Sequence, residues 1–142
     1  MPCKILLPVD GSDGSARAAR HVAGIAKMVP GLEVHLLNVQ PLGDDWMTRR
    51  SIKPEELAAM EREWGEAALA PARAILKSAG VACAEQIAQG DVPETVARLA
   101  RELGCDQIVM GTRGQSSLGG LLMGSIATKV LHLADVPVTL VK

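Results

Sequence analysis

Apolar residues in this chain fall into short, nearly unbroken runs separated by longer amphipathic stretches. The first run, Cys3 to Val9, holds Ile5, Leu6, Leu7 and Val9. Strands covered on both faces read this way, whereas a sheet with one wet face alternates strictly. Further strands are expected over Glu33 to Val39, Val81 to Ala88, Gln107 to Met110 and Val136 to Val141. The Val81 run alternates only weakly, which places it near an edge. Between them the spacing turns helical. One helix is expected from the Asp10–Ser15 turn to about Val29, with Ala16, Ala19, Ala23 and Ala26 on one stripe, ended by Pro30-Gly31. A second, from about Pro54 to Ala79, has the expected core stripe Leu57, Met60, Trp64, Ala68, Pro71 and Ile75, with Pro71 kinking it and Gly80 as its carboxyl-terminal stop. A third is capped by Asp91, turns Val92, Val96, Leu99 and Leu103 inward and ends at Gly104; a fourth covers Ser125 to Ala134.

Strand and helix alternate five strands deep, so the expected fold class is α/β: a single-domain, five-stranded parallel open sheet with right-handed crossovers and helices on both faces. The length of 142 residues fits one domain, here residues 1–142, which can bury roughly 70% of its unfolded surface without a metal or disulfide. Composition narrows the chemistry. There is no Phe or Tyr and only Trp46 and Trp64, which argues against base-stacking nucleic-acid modules. The net charge is -1 and the densest basic spot is Arg49-Arg50, too little for a phosphate-backbone footprint. No apolar stretch has the length of a membrane span, and no signal peptide is read at the start. Cys3, Cys83 and Cys105 lack metal or disulfide spacing and are expected as small buried hydrophobes; a reducing, cytoplasmic location follows. His21, His35 and His132 share no ligand spacing and are expected to be structural.

Ligands of open parallel sheets bind beyond the carboxyl ends of the strands, where strand order reverses. Two such ends carry unusual sequence: Asp10-Gly11-Ser12 after the first strand, and Gly111-Thr112-Arg113-Gly114 after the fourth. Gly111, Gly114, Gly119, Gly120 and Gly124 let backbone N–H groups approach an anion, and Gly124-Ser125 opens a helix whose amino terminus favours negative charge. Charge-assisted hydrogen bonds contribute about 1.5–3 kcal/mol each, so three or four, after entropy losses, support a dissociation constant on the order of micromolar. The bland alternatives are that Asp10 and Ser125 only cap helices and that Arg113 is an exposed loop residue. The P-loop pattern fails, because Ser125-Ile126 stands where it needs lysine and a hydroxyl. A calcium loop from Asp10 fails because its twelfth position is His21. Nor is there a nucleophile elbow around Ser125.

Gly111-x2-Gly114-x9-Gly124-Ser125 resembles the G-2x-G-9x-G-[ST] motif of the nucleotide-binding universal stress proteins. Ile5 to Ser12, Asp106 to Gly114 and Val136 to Val141 resemble that family's opening strand and turn, fourth strand and loop, and closing strand. The resemblance implies an adenine nucleotide alpha hydrolase-like sheet ordered 3-2-1-4-5. It implies that Asp10, beside Pro8 and Val9, lies near the nucleotide and, indirectly, its Mg2+. It further implies that Val39 and Met110 flank adenine and ribose, and that Gly111, Arg113, Gly114, Gly124 and Ser125, with Ile126 next to them, hold the phosphates. ATP, or ADP or AMP, is the implied ligand, and a homodimer through the last strand would use Val138 and Leu140. Expected partners are thus the nucleotide and a second copy, with no nucleic acid and no membrane. The implied function is a nucleotide-responsive stress or energy module with at most slow ATP hydrolysis, for which Asp10 is the one visible catalytic candidate. A nucleotide-independent dimeric or chaperone-like module is the alternative. A nucleotidyl transferase or amidating enzyme is disfavoured, since its phosphate loop follows the first strand. Pro8 sits oddly inside a strand, and the loop from Gln40 to Lys53 is long for its place.

Overall fold

The structure, a computed structural model, describes residues 2–41, 52–113 and 123–142. Five strands, β1 (Lys4–Pro8), β2 (Glu33–Gln40), β3 (Cys83–Gln89), β4 (Gln107–Gly111) and β5 (Val138–Val141), form one parallel sheet in the order β3-β2-β1-β4-β5. Four helices are seen among the described residues: α1 (Asp13–Met28), α2 (Pro54–Ser78), α3 (Val92–Glu102) and α4 (Ser125–Leu133). Successive side chains of a strand point to opposite faces, and the sheet divides its apolar residues accordingly. Ile5, Leu7, Leu36 and Val109 join α1 and α2 in one core, whereas Leu6, Leu37, Ile108 and Met110 join α3 and α4 in the other. Both faces are thus covered, which is why β1 is apolar at nearly every position.

Local stop signals act as read. Gly80 and Gly104 take positive φ just beyond α2 and α3, and the N–H groups of Val81 and Cys105 return to the Leu76 and Ala100 carbonyls, both at 2.9 Å. Asp91 caps α3 through Glu94 N–H at 3.1 Å. β3 is an edge strand, and of the cysteines only Cys105 is fully buried; Cys3 and Cys83 are half-buried.

The inward faces of the two long helices differ from expectation. On α1 the buried set is Gly14, Ser15, Ala18, Ala19, Val22 and Ala23, with Ala16 and Ala26 only half-buried. On α2 it is Gly65, Ala68, Leu69, Ala72 and Leu76, while Trp64 is 49% exposed and Pro71 is exposed. Trp64 is therefore not a core residue. Close approach decides the matter: a Cβ on Gly65 would stand 2.6 Å from the Ile87 side chain. Gly65, Ala68 and Ala72 lie where the helix is tight against the sheet, Leu69 and Leu76 are buried beside them, and Trp64 is turned away. The helix runs on through Pro71 to Ser78.

Candidate functional site

β1 lies between β2 and β4, so the turn after β1 and the loop after β4 emerge side by side where strand order reverses. Pro8 marks the end of the β1–β4 pairing there. Glu33 N–H donates to Cys3 O at 2.8 Å and Val9 N–H to Leu37 O at 2.8 Å, whereas Asp106 N–H donates to Lys4 O at 2.8 Å. Odd-numbered residues of β1 thus address β2 and even-numbered ones address β4. Pro8 is even and has no N–H to give β4. Pairing of β1 with β4 is registered only at Ile5 and Leu6, while pairing with β2 continues to Pro8. The proline is no anomaly: it sits at the strand end, beyond the last registered β1–β4 pair.

The turn after β1 is held by its own side chains. Ser12, not Asp10, is the N-cap of α1, its Oγ accepting from Ser15 N–H at 3.2 Å. Asp10 Oδ1 accepts from Ser12 N–H at 3.0 Å and from the Ser15 hydroxyl at 2.8 Å, and Asp10 N–H donates to Ser15 Oγ at 2.9 Å. Gly11 supplies the positive φ of 81° that the turn needs. The carboxylate is therefore fixed in position, half-buried at the mouth.

On the other side, the loop after β4 starts and ends at one point: Gly124 N–H donates to Thr112 O at 2.6 Å and Thr112 N–H to Val141 O at 3.0 Å. The amino terminus of α4 is thereby anchored beside the end of β4. Gly124 is the N-cap of α4, so Ser125 is not a cap; it is the first helical residue and is exposed, as is Ile126. The two turns touch through backbone. A Cβ on Gly111 would lie 2.9 Å from the Gly14 carbonyl carbon and oxygen, and one on Gly14 would run into the Arg113 carbonyl oxygen. Arg113 itself is exposed. Gly114, Gly119, Gly120 and Trp46 lie outside the described residues, as does most of the loop between β2 and α2.

Val39 and Met110 are brought to the same face, both in the α3/α4 core and only 8% and 7% exposed. Val138 and Leu140 lie on edge strand β5, half-buried against that core. The histidines do not converge: His35 bonds Gln86 Oε1 at 3.0 Å, and His21 and His132 are exposed. No group of three His, Cys, Asp or Glu suited to a metal is found among the described residues, nor a helix long and apolar enough to cross a membrane. Asn38 was not anticipated. It is buried, its Nδ2 donates to Val9 O at 2.8 Å, and its Oδ1 accepts from Gln40 Nε2 at 2.5 Å, so it positions the backbone that leads into Asp10. A lone amide inside Leu36-Leu37-Asn38-Val39 was the available signal, since a buried amide needs a partner.

The architecture is that of an open parallel α/β sheet whose switch point, the place where ligands of such sheets bind, is flanked by a fixed carboxylate turn and a helix amino terminus. The universal stress protein family model matches residues 1–142, and the chain belongs to that family. Universal stress protein MJ0531 of Methanocaldococcus jannaschii is 32% identical over 139 residues, covering 98% of this chain and 81% of its own. The solved structure of MJ0577, from the same organism, agrees with a TM-score of 0.84 at 28% identity, covering 100% of this chain and 96% of that one. A universal stress protein of Archaeoglobus fulgidus, solved in complex with dAMP, shares the fold at TM-score 0.69 and 23% identity, covering 100% and 98%. Others with the fold were solved with cAMP and with AMP.

Proposed function

We propose that this universal stress protein binds an adenine nucleotide, ATP in the first place, in the crevice between the ends of β1 and β4, and acts as a nucleotide-responsive regulatory module. The observation that carries the reading is the pinning of the α4 amino terminus to the end of β4 through Gly124 and Thr112. It sets the amino-terminal turn of α4, with Ser125 as its first residue, beside the end of β4, and such a turn favours a phosphate in this reading. Gly124 adds support. Its φ of -75° suits any residue, and a Cβ there would meet its nearest neighbour, Thr112 O, at 3.4 Å, an ordinary contact. The described fold does not demand glycine at this position; a close-lying ligand would. Relatives with dAMP, AMP and cAMP bound point to the same ligand class.

In this reading Pro8, Val9 and Asp10 border one side of the crevice. Val39 and Met110 offer little side-chain surface and serve as the floor under adenine and ribose. Gly111, Arg113, Gly114, Gly124, Ser125 and Ile126 surround the phosphates. Mg2+ fits as an ion shared with the phosphates, since Mg2+ is often held by one carboxylate plus substrate oxygens and waters. Asp10 would be that carboxylate, directly or through water. Hydrolysis is at most slow, with Asp10 the candidate to assist it. The copy-to-copy contact through β5, using Val138 and Leu140, and a cytoplasmic location belong to the same reading.

The test is direct. The purified protein is denatured, the released ligand is separated by ion-pair chromatography and identified by mass, and magnesium-ATP is titrated calorimetrically. Nucleotide recovered near one per chain, and lost in Gly114→Val/Gly124→Val, supports the site. Absence of both nucleotide and heat overturns it and leaves a dimeric interaction module. Slow phosphate release that disappears in Asp10→Ala would establish the enzymatic variant.

A further inference from the structure

Helix α2 carries a second apolar stripe that the described residues leave largely exposed. Leu57, Met60, Trp64, Ala67, Pro71 and Ala74 follow one another at alternating spacings of three and four, the a/d repeat of a coiled-coil seam. Leu57 and Met60 are half-buried; Trp64, Ala67, Pro71 and Ala74 are exposed. The stripe continues at Ser78 into an open groove between α1 and α2, lined by Arg20, Ala23, Gly24, Lys27 and Ile75. At Gly24 a Cβ would meet nothing within 4 Å, so the missing side chain helps to form the groove.

We infer that this seam and groove receive α2 of a second copy of the chain, packed antiparallel about a two-fold axis near Gly65–Glu66. Side-chain size favours this partner. In that register Leu57, Met60 and Trp64 of one copy face Ala74, Pro71 and Ala67 of the other, large against small at every layer, the arrangement that fills a core without voids. A parallel pair would instead stack Trp64 on Trp64 and leave gaps at Ala67 and Ala74. Charge favours it as well. Glu55, Glu56, Glu61 and Glu63 crowd the amino-terminal half of α2, while exposed Lys77 flanks the carboxyl-terminal half and exposed Arg20 and Lys27 border the groove. Antiparallel packing lays the acidic half of each helix over the basic end of the other, with Glu56 beside the second copy's Lys77. Parallel packing sets Glu56 against Glu61 across the seam, like against like. The surface lies away from β5: α2 packs over β2 and β3, at the opposite edge of the sheet. It is therefore distinct from any contact through β5.

Sedimentation velocity over a concentration series tests the inference on the intact protein. Trp64→Glu and Gly24→Phe should each weaken self-association by about tenfold or more, with far-UV circular dichroism unchanged because neither site is buried. Glu56→Lys and Lys77→Glu should each weaken it, and the double reversal in one chain should restore it, which separates charge pairing from loss of fold. Self-association that is absent, or indifferent to both Trp64→Glu and Gly24→Phe, overturns the proposal, as does failure of the double reversal to recover what the single reversals lost.

Discussion

Two glycines of one motif, Gly111 at the end of β4 and Gly124 at the start of α4, stand in opposite relations to the fold. At Gly111 the backbone of α1 comes so close that any side chain would meet Gly14. At Gly124 the dihedrals are ordinary and the nearest described atoms leave room. Identical residues in one sequence pattern therefore answer different demands: the first lets a helix touch a loop, and the second is free to serve a ligand. A motif is not a set of equivalent contacts, and stability and binding should separate along it.

The largest expected effect breaks the first position. Gly111→Val should destabilise the protein by about 2–3 kcal/mol, within the range for overpacking a tight contact, read as a lower urea midpoint; an unchanged midpoint would show that α1 can retreat. Gly124→Ser sharpens the contrast. Serine is a good N-cap, so stability should hold within a few tenths of a kcal/mol, while the affinity for magnesium-ATP falls by about tenfold, because the added Cβ crowds a phosphate lying close to the backbone. Equal loss in both assays would remove the distinction between the two glycines. Ser12→Ala probes the turn opposite: loss of the α1 cap should cost about 1 kcal/mol, measured by denaturant titration. Gly24→Ala, mid-helix with open space at its Cβ, should stabilise by up to about 1 kcal/mol.

The smallest effect is a pH dependence outside both glycine regions. Burial, the largest cause, raises the thiols of Cys105 and Cys83 above their ordinary value of 9.0. The neutral thiol is favoured in the fold, so this contribution is intact below pH 9.0 and is lost as pH rises through the raised folded-state values, because the unfolded chain ionises first. A thermal midpoint that declines less steeply above that pH in Cys105→Ala than in the parent would confirm it.

Much of the site was legible in the sequence because its signals are local. The glycine spacing, the polar Asp10–Ser15 turn and the helix opening at Ser125 need no partner to be read. Asn38 was overlooked because its worth rests on the Val9 carbonyl of a neighbouring strand. The choice of Ser12 over Asp10 as the α1 cap turned on which oxygen reaches Ser15 N–H, a matter of turn geometry.

The sequence by itself determined the kind and order of the elements, since apolar runs, amphipathic spacing and Gly or Pro stops act over a few residues. Its lack of Phe and Tyr also argued against a base-stacking nucleic-acid module. Tertiary structure alone decided which side of a helix is inside. Trp64 looks like core by hydrophobicity, yet the sheet takes Gly65, Ala68 and Ala72, because burial on a closely packed sheet depends on how near two backbones come as well as on how apolar a side chain is. The adjacency of β1 and β4, the end of their ladder at Pro8 and the pinning of Gly111 by Gly14 likewise exist only once segments distant in the chain have met.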